Sequence, residues 1–436
     1  MPEMKNSGIE WVGEIPKSWN AKKAKFNFEN TKHVPGIKST EYERLALTMK
    51  GVVHRSKEDT DGLQPKDFLT YQLLRKSELV FKLIDLQNVT TSRVGLAHDT
   101  GLVSPAYIIL RATGEVLPDF AEKYFLMLWY REIFNALGDN GVRSNLNATD
   151  LLNVPICYPD IVEQKAIVEF LNHKCAEIDA LSVDIQSEIE TLEAYKRSVI
   201  TEAVTKGLYK NVPMKDSGIE WIGEIPQNWT VTRLKYLFSS SKGLNITKEN
   251  LMDEGLPVIS YGQIHAKSND GVSLDDTLLR YVDLKYQIYY PQCEVKQYDF
   301  VFADTSEDYD GCGNCVYKRD DNMVFGGYHT IILHTMTNQD NRYLAYLFQT
   351  DKWRKQIREK VSGVKVFSIT RRTIMNASVI LPSFKEQQII ANYLDTVNTT
   401  VNKIISDKRK QLTILADYKK SLIYEYVTGK KEVSAI

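Results

Sequence analysis

The chain has 436 residues, 43% hydrophobic and 25% charged, and its 55 Lys and Arg nearly balance 56 Asp and Glu for a formal net charge of -1. This length exceeds what one core serves and points to two domains, while the near-neutral charge excludes a generally sticky polycation and leaves nucleic-acid contact to local basic patches. No apolar run approaches the roughly 18 residues of a membrane span, no charged-then-apolar leader is read, and five irregularly spaced cysteines fit reduced thiols; a cytoplasmic protein without membrane contact is expected.

The first element is a box, MKNSGIEWVGEIPKSWN at 4–20, which returns as MKDSGIEWIGEIPQNWT at 214–230 with twelve of seventeen positions identical. A repeat of this size marks a duplicated domain rather than a solenoid unit. After the first box, β-branched or aromatic runs at 42–54, 78–84 and 106–112, bounded by turn residues, predict strands. Phe120, Tyr124, Leu128 and Phe134 recur near helical spacing and predict an amphipathic helix over 118–137. Gly141-Val142-Arg143 then precedes Tyr158-Pro159. The second repeat follows the same order, with strands expected at 257–265, 299–305 and 328–335, a helix over 340–360, and Gly363-Val364-Lys365 before Leu381-Pro382. Each repeat therefore reads as an α+β domain large enough to hold its own core.

Each repeat ends in a proline-free segment, 161–206 and 384–429, predicted to be one long helix. In the first, Leu171, Ile178, Ile185, Leu192 and Val199 fall seven apart, with Leu181 and Tyr195 at the complementary position. In the second, Leu394, Val401, Leu415 and Leu422 occupy the equivalent places beside Val397, Ile404 and Tyr418. That spacing is a coiled-coil seam, interrupted by Glu188 in one helix and by Lys408 and Gln411 in the other, where register could be fixed. At about 1.5 Å per residue each helix is on the order of 65 Å long, and a seam this long stays exposed unless another long helix covers it. The expected architecture is two similar α+β domains separated by two long antiparallel coiled-coil helices, with pseudo-two-fold internal symmetry.

The doubled Ser-Gly-Ile-Glu-Trp-(Val/Ile)-Gly-Glu-Ile-Pro-x-x-Trp box at 7–19 and 217–229, and the Pro-x-x-x-Glu-Gln entry to each long helix at 159–164 and 382–387, closely resemble the specificity subunit of Type I restriction-modification enzymes. The resemblance covers essentially the whole chain. It implies a first target recognition domain over 1–160, a first spacer helix over 161–210, a second recognition domain over 211–383 and a second spacer helix over 384–436. It further implies a non-catalytic subunit that binds a bipartite, asymmetric double-stranded DNA target, one half-site per domain. Two methyltransferase (modification) subunits and further restriction/translocase subunits would be its partners. S-adenosylmethionine, ATP and Mg2+ would belong to them, with no cofactor bound by this chain. A coiled-coil scaffold that binds only proteins is the alternative.

A domain reading DNA needs cations on phosphates and polar side chains at base edges. In the first repeat the loop candidates are Lys50, Arg55, Arg93, Ser104, Tyr107, Arg143, Ser144 and Asn145; in the second they are Gln263, His265, Ser306, Tyr328, His329, Lys365, Arg371 and Arg372. A solvated surface role is the alternative for any one of them, but the Gly-Val-(Arg/Lys) element recurs at the same place in both repeats. Cys312 and Cys315 have the spacing of half a zinc site, with Cys293 and His329 as further ligands, yet no second tight pair accompanies them. No Walker-type Gly-Lys-Ser/Thr, no Asn-Pro-Pro-aromatic motif and no glycine-rich cofactor loop is present. Neither metal nor catalytic residues are assigned.

Overall fold

The structure, a computed structural model, describes residues 3–59, 67–87, 91–138 and 145–433. Two compact units divide the chain, Met1–Gln186 with Arg409–Ile436, and Ser187–Lys408. The divisions fall inside the two long helices, Ile161–Lys206 and Phe384–Val427. Each unit therefore holds one repeat's domain and one half of each helix.

In the first unit, beside the two-stranded ribbons Met4–Asn6 with Glu14–Pro16 and Asn20–Lys23 with Pro155–Tyr158, the sheet strands are β1 (Phe28–Thr31), β2 (Arg44–Thr48), β3 (Gly51–Arg55), β4 (Gln72–Leu74), β5 (Leu79–Phe81), β6 (Val94–Leu96), β7 (Gly101–Val103) and β8 (Ile108–Ala112). They form two sheets, in the orders β1-β8-β5-β6 and β3-β2-β7-β4. The second unit repeats them as β9 (Phe238–Lys242), β10 (Leu256–Ile259), β11 (Arg280–Val282), β12 (Glu294–Val295), β13 (Phe300–Ala303), β14 (Cys315–Tyr317), β15 (Val324–Gly326) and β16 (Thr330–Thr335). Their orders are β9-β16-β13-β14 and β11-β10-β15-β12, the same topology strand for strand. The parallel pair recurs at the same place too, β2 with β7 and β10 with β15.

Alternation along the central strands separates two cores, because successive side chains leave a strand on opposite faces. Leu79, Phe81 and Leu110 face Phe120, Tyr124 and Leu128 of the helix Pro118–Tyr130. Val80 and Ile109 instead pack on Leu45, Leu47, Leu74 and Val103 of the other sheet. In the second unit Phe300, Phe302 and Leu333 pack with Tyr343, Leu347 and Trp353, and Val301 and Ile332 with Val258, Ile259 and Phe325. Each unit is thus a helical layer, a central sheet and an outer sheet.

The predicted helix over 118–137 breaks at Glu132, whose φ of 58° is left-handed, into Pro118–Tyr130 and Ile133–Leu137. The one over 340–360 breaks where Thr350 caps a new start, giving Asn341–Phe348 and Asp351–Arg358. The predicted strand over 257–265 ends at Ile259. Gln263 Oε1 accepts the Ser260 N–H at 3.1 Å and turns the chain into the short helix Tyr261–Ile264.

The repeated motifs build one clasp twice. Gln164 Oε1 accepts the Leu117 N–H at the start of the domain helix, while its Nε2 donates to the Pro159 and Glu115 carbonyls. Gln387 does the same with the Asp340 N–H and the Pro382 carbonyl. Trp19, 1% exposed, donates from Nε1 to Glu163 at 3.1 Å, and Trp229 is buried completely; these box tryptophans are core anchors. Glu163 is held above the usual carboxylate range because burial outweighs the Trp19 bond. The far end of the opposite long helix closes each core. Leu422, Ile423 and Val427 join Ile9, Val12, Ile15 and Trp19, as Ile200, Ala203 and Val204 join Ile222, Ile225 and Trp229. Gly429 and Gly207, at φ of 69° and 79°, stop these helices in the left-handed conformation only glycine adopts freely, each against its box tryptophan.

Within each unit the long helices run antiparallel. Asp179 pairs with Lys419 at 2.7 Å and Phe170 stacks on Tyr426 in the first; Lys196 bonds Asn402 at 2.8 Å and Glu188 pairs with Lys408 in the second. The two polar seam interruptions therefore meet each other. Exposed pairs of this kind contribute little stability but fix register. The predicted seam positions seven apart are buried or half-buried, but the complementary row is out by one residue. Leu181, Tyr195, Ile404 and Tyr418 are exposed, while Ile189, Ala203 and Ile405 are buried. No helix among the described residues is long and apolar enough to cross a membrane.

Candidate nucleic-acid interface

The second unit gathers most of its predicted site residues around one connection, the β15–β16 turn at 327–329. His329 sits there at φ of 56°, its carbonyl accepting the Asp304 N–H at 3.0 Å. Its Nδ1 lies 3.1 Å from Asp304 Oδ1 and 3.3 Å from Thr305 Oγ1. Tyr328 and His329 both meet Tyr261 edge-on, with ring centroids 5.6 and 5.4 Å away. His265, one turn on from Tyr261, uses both nitrogens: Nε2 is 2.8 Å from the Thr305 carbonyl and Nδ1 is 3.0 Å from Asn314 Nδ2.

The Lys365 loop adjoins this cluster through a two-residue ribbon in which Thr305 and Ser306 pair with Ser368 and Phe367. Ser362 and Ser368 bridge the loop's base, and its tip is solvent-facing, with Val364 92% exposed beside the exposed Lys365 and Val366. The chain then passes Asp304 again, where the Ile369 N–H donates to the Asp304 carbonyl at 2.8 Å, before Thr370 caps the short helix bearing the exposed Arg371 and Arg372. Two predicted residues do not reach the surface in the expected sense. Ser306 is 1% exposed and donates to the Asp308 carbonyl at 2.7 Å, and the Gln263 carbonyl oxygen is spent on its helix cap.

The acidic loop 304–310 lies on the same side. Asp304 is tied to His329 and Thr305, while Glu307 and Asp310 stay exposed. At the other end of the β13–β16 pair, Ser241 Oγ is 2.8 Å from His334 Nε2, and His334 Nδ1 is 2.7 Å from Asp299 Oδ2. This has the order of a hydrolase relay, but Asp299 also accepts the Lys296 and Thr335 N–H groups, and the three residues stitch neighbouring strands.

The five cysteines are free and buried. Cys312 and Cys315 pack in the helix-side core and Cys293 in the core between the sheets. Burial pushes the Cys315 thiol up to about 12. Among the described residues no group of three or more His, Cys, Asp or Glu is arranged to hold a metal ion.

In the first unit the equivalent connection, β7–β8, carries Ser104 and Tyr107. Gln72 Nε2 holds it open by donating to the carbonyls of both, at 2.9 and 2.6 Å. Burial raises the Tyr107 hydroxyl above its ordinary value, opposed by the nearby Arg44 and Arg55 guanidinium groups. Arg55 is ion-paired to Asp59 at 2.6 Å. A groove of about 290 Å³ joins Tyr107 and Ala106 to Ile84 and Leu146, next to Asn145, which accepts the Asp85 N–H at 2.9 Å. Lys50 is exposed at the tip of the β2–β3 hairpin, apart from this turn. Arg143 and Ser144 lie outside the described residues.

Arg93 is a correction. It is 0% exposed, and its guanidinium donates to the backbone carbonyls of Lys82, Ile84 and Asp85, so it shapes the loop from inside and cannot meet a phosphate. Burial lowers its pKa from the ordinary guanidinium value despite Asp85. Replacing it with alanine is expected to lower stability by about 2–4 kcal/mol, since the carbonyls it serves lose their donors, with no change in the salt dependence of DNA binding. Chemical denaturation alongside a salt titration checks both; a reduced salt slope would return Arg93 to the interface.

Sequence reasoning missed Tyr261, Thr305 and Gln72. Tyr261 stood inside a segment read as strand, and nothing local marks Gln72, whose role exists only through a turn some thirty residues away in sequence.

Residues 226–413 match the Type I restriction modification DNA specificity domain. The MjaVIII specificity subunit of Methanocaldococcus jannaschii is 23% identical over 335 residues, 76% of this chain and 75% of that protein. The putative MjaX specificity subunit of the same organism is 23% identical over 457 aligned positions, 97% and 96% of the two chains. A chain from a solved type I restriction-modification system, described for complex assembly and conformational transition, superposes with a TM-score of 0.69 at 13% identity. That superposition covers 96% of this chain and 99% of the other. With a doubled box, a doubled Glu-Gln clasp and a strand-for-strand repeat, this chain carries the Type I DNA specificity domain in its second half and is similar over nearly its whole length to specificity subunits of Type I restriction-modification enzymes.

Proposed function

We propose that this non-catalytic subunit reads a bipartite, asymmetric double-stranded DNA target, each domain recognising one half through the turn between its β7–β8 or β15–β16 strands. One observation carries the reading: two scaffolds of identical topology present unlike side chains at this same connection, Ser-Pro-Ala-Tyr at 104–107 and Gly-Tyr-His at 327–329. A shared frame with different reading edges is what two unlike half-sites require. In the second domain Lys365, Arg371 and Arg372 supply phosphate contacts, and Val364 and Val366 supply apolar surface suited to thymine methyl groups. The exposed Glu307 and Asp310 repel the backbone and confine phosphates to the basic side.

The long helices dock two modification subunits, which methylate adenine with S-adenosylmethionine; restriction/translocase subunits contribute cleavage with ATP and Mg2+. The cytoplasm, where the chromosome lies, is the expected place of work. In the complete assembly, replacing Lys365, Arg371 and Arg372 together with alanine is expected to flatten the plot of log affinity against log salt by about 0.9 per lost phosphate contact, roughly two to three in all. An unchanged slope would remove this face from the interface, and DNA binding without salt dependence would favour the protein-only scaffold.

A further inference from the structure

Resting on the reading above, we infer that His329 is a specificity-determining residue whose Nε2 accepts a hydrogen bond from an exocyclic amino group of one base in the half-site of the second domain. The tautomer follows from its partner. Asp304 Oδ1 already accepts the Thr305 hydroxyl at 2.8 Å, and this oxygen is the acceptor facing the imidazole. Nδ1, 3.1 Å from that oxygen, therefore carries the proton. In the neutral form of the ring the lone pair is then at Nε2, which meets no donor among the described residues, on a side chain 56% exposed.

His265, against Tyr261 and Thr305 in the same cluster, shows the opposite outcome. Its Nε2 donates to the Thr305 carbonyl and its Nδ1 accepts from Asn314, so nothing is left to read a base. The His329 ring is also fixed in advance. Its left-handed backbone is held by the Asp304 N–H, and its face is set by Tyr261 at an interplanar angle of 80°. A preset acceptor with no protein donor discriminates in favour of a ligand donor and against a ligand acceptor. At base edges those donors are adenine N6 and cytosine N4 in the major groove and guanine N2 in the minor groove.

The test uses the complete assembly and the target motif found by sequencing methylated adenines. Duplexes are made in which each adenine, cytosine or guanine of the second half-site is replaced singly by purine, 2-pyrimidinone or hypoxanthine, each lacking only the amino group. One replacement is expected to weaken binding by wild type about three- to tenfold, the worth of one hydrogen bond, and its identity tells which groove is read. The His329→Ala assembly should bind that duplex and the unmodified one equally, and His329→Asn, whose amide oxygen accepts, should restore part of the difference. An unaltered penalty in His329→Ala, or no sensitive position in wild type, would overturn the assignment. If exchanging the whole second domain left the half-site unchanged, the broader reading would fail instead.

Discussion

Deleting residues 422–436 is expected to unfold the first domain, although these residues lie at the opposite end of the chain from its strands. Leu422, Ile423 and Val427 are 4%, 1% and 0% exposed and pack with Ile15 and Trp19. Burying an aliphatic side chain is worth about 1.5–3 kcal/mol, so their loss costs roughly 5–8 kcal/mol. That is comparable with the total stability of a domain. Gly429, which stops the helix against Trp19, and the Lys430 bond to the Glu14 carbonyl go with them. Hydrogen exchange should report protection lost across residues 9–158 and retained across 222–381, whose core is closed by Ile200, Ala203 and Val204 instead. Equal protection of both units would show that the helix end is a passive tail. Ile423→Asp, which removes no chain, should reproduce the asymmetry.

Exchanging residues 25–154 for the matching segment of another specificity subunit is expected to replace one half of the methylated motif and leave the other half unaltered. The boundaries come from the fold. The strand Asn20–Lys23 pairs with Pro155–Tyr158, putting Lys23 opposite Pro155, so the exchanged piece leaves and re-enters the chain at one ribbon. In the second unit Arg233 stands opposite Ser378 in the same way. The box, the Glu-Gln pair and the long helices stay outside both segments, while the backbone that Gln164 holds at Glu115 and Leu117 travels with the exchanged piece. Sequencing of methylated adenines gives the result directly: a motif changed in both halves, or in neither, would end the modular account.

What the sequence made legible followed the length of each signal. A box of seventeen residues and seams running through helices of 46 and 44 residues leave little ambiguity, and the duplication, the α+β class and the antiparallel helices were all readable. The complementary seam row was not. Ile404 and Ile405 are adjacent and equally apolar, so hydropathy cannot tell which turns inward, and Tyr195 and Tyr418 are amphipathic enough to stay exposed. Strands of three residues such as Gln72–Leu74 and Val94–Leu96 are too short to display a period of two, which is why only three strands per repeat could be predicted. Loop position singled out His329, Lys365 and Arg371 as surface residues, because exposed polar residues in turns need no tertiary information. Arg93 looked the same by that criterion, yet its loop folds over it.

The interlocked closure of the two cores bears on how such a chain arises. Half of it, one box, one domain and one long helix, would have a core short of the aliphatic residues that the other helix delivers. Two identical halves would supply each other's missing part and form a homodimer with a palindromic preference. On the function proposed above, fusing two such genes head to tail would free each copy to drift and turn a symmetric reader into one able to tell left from right along DNA.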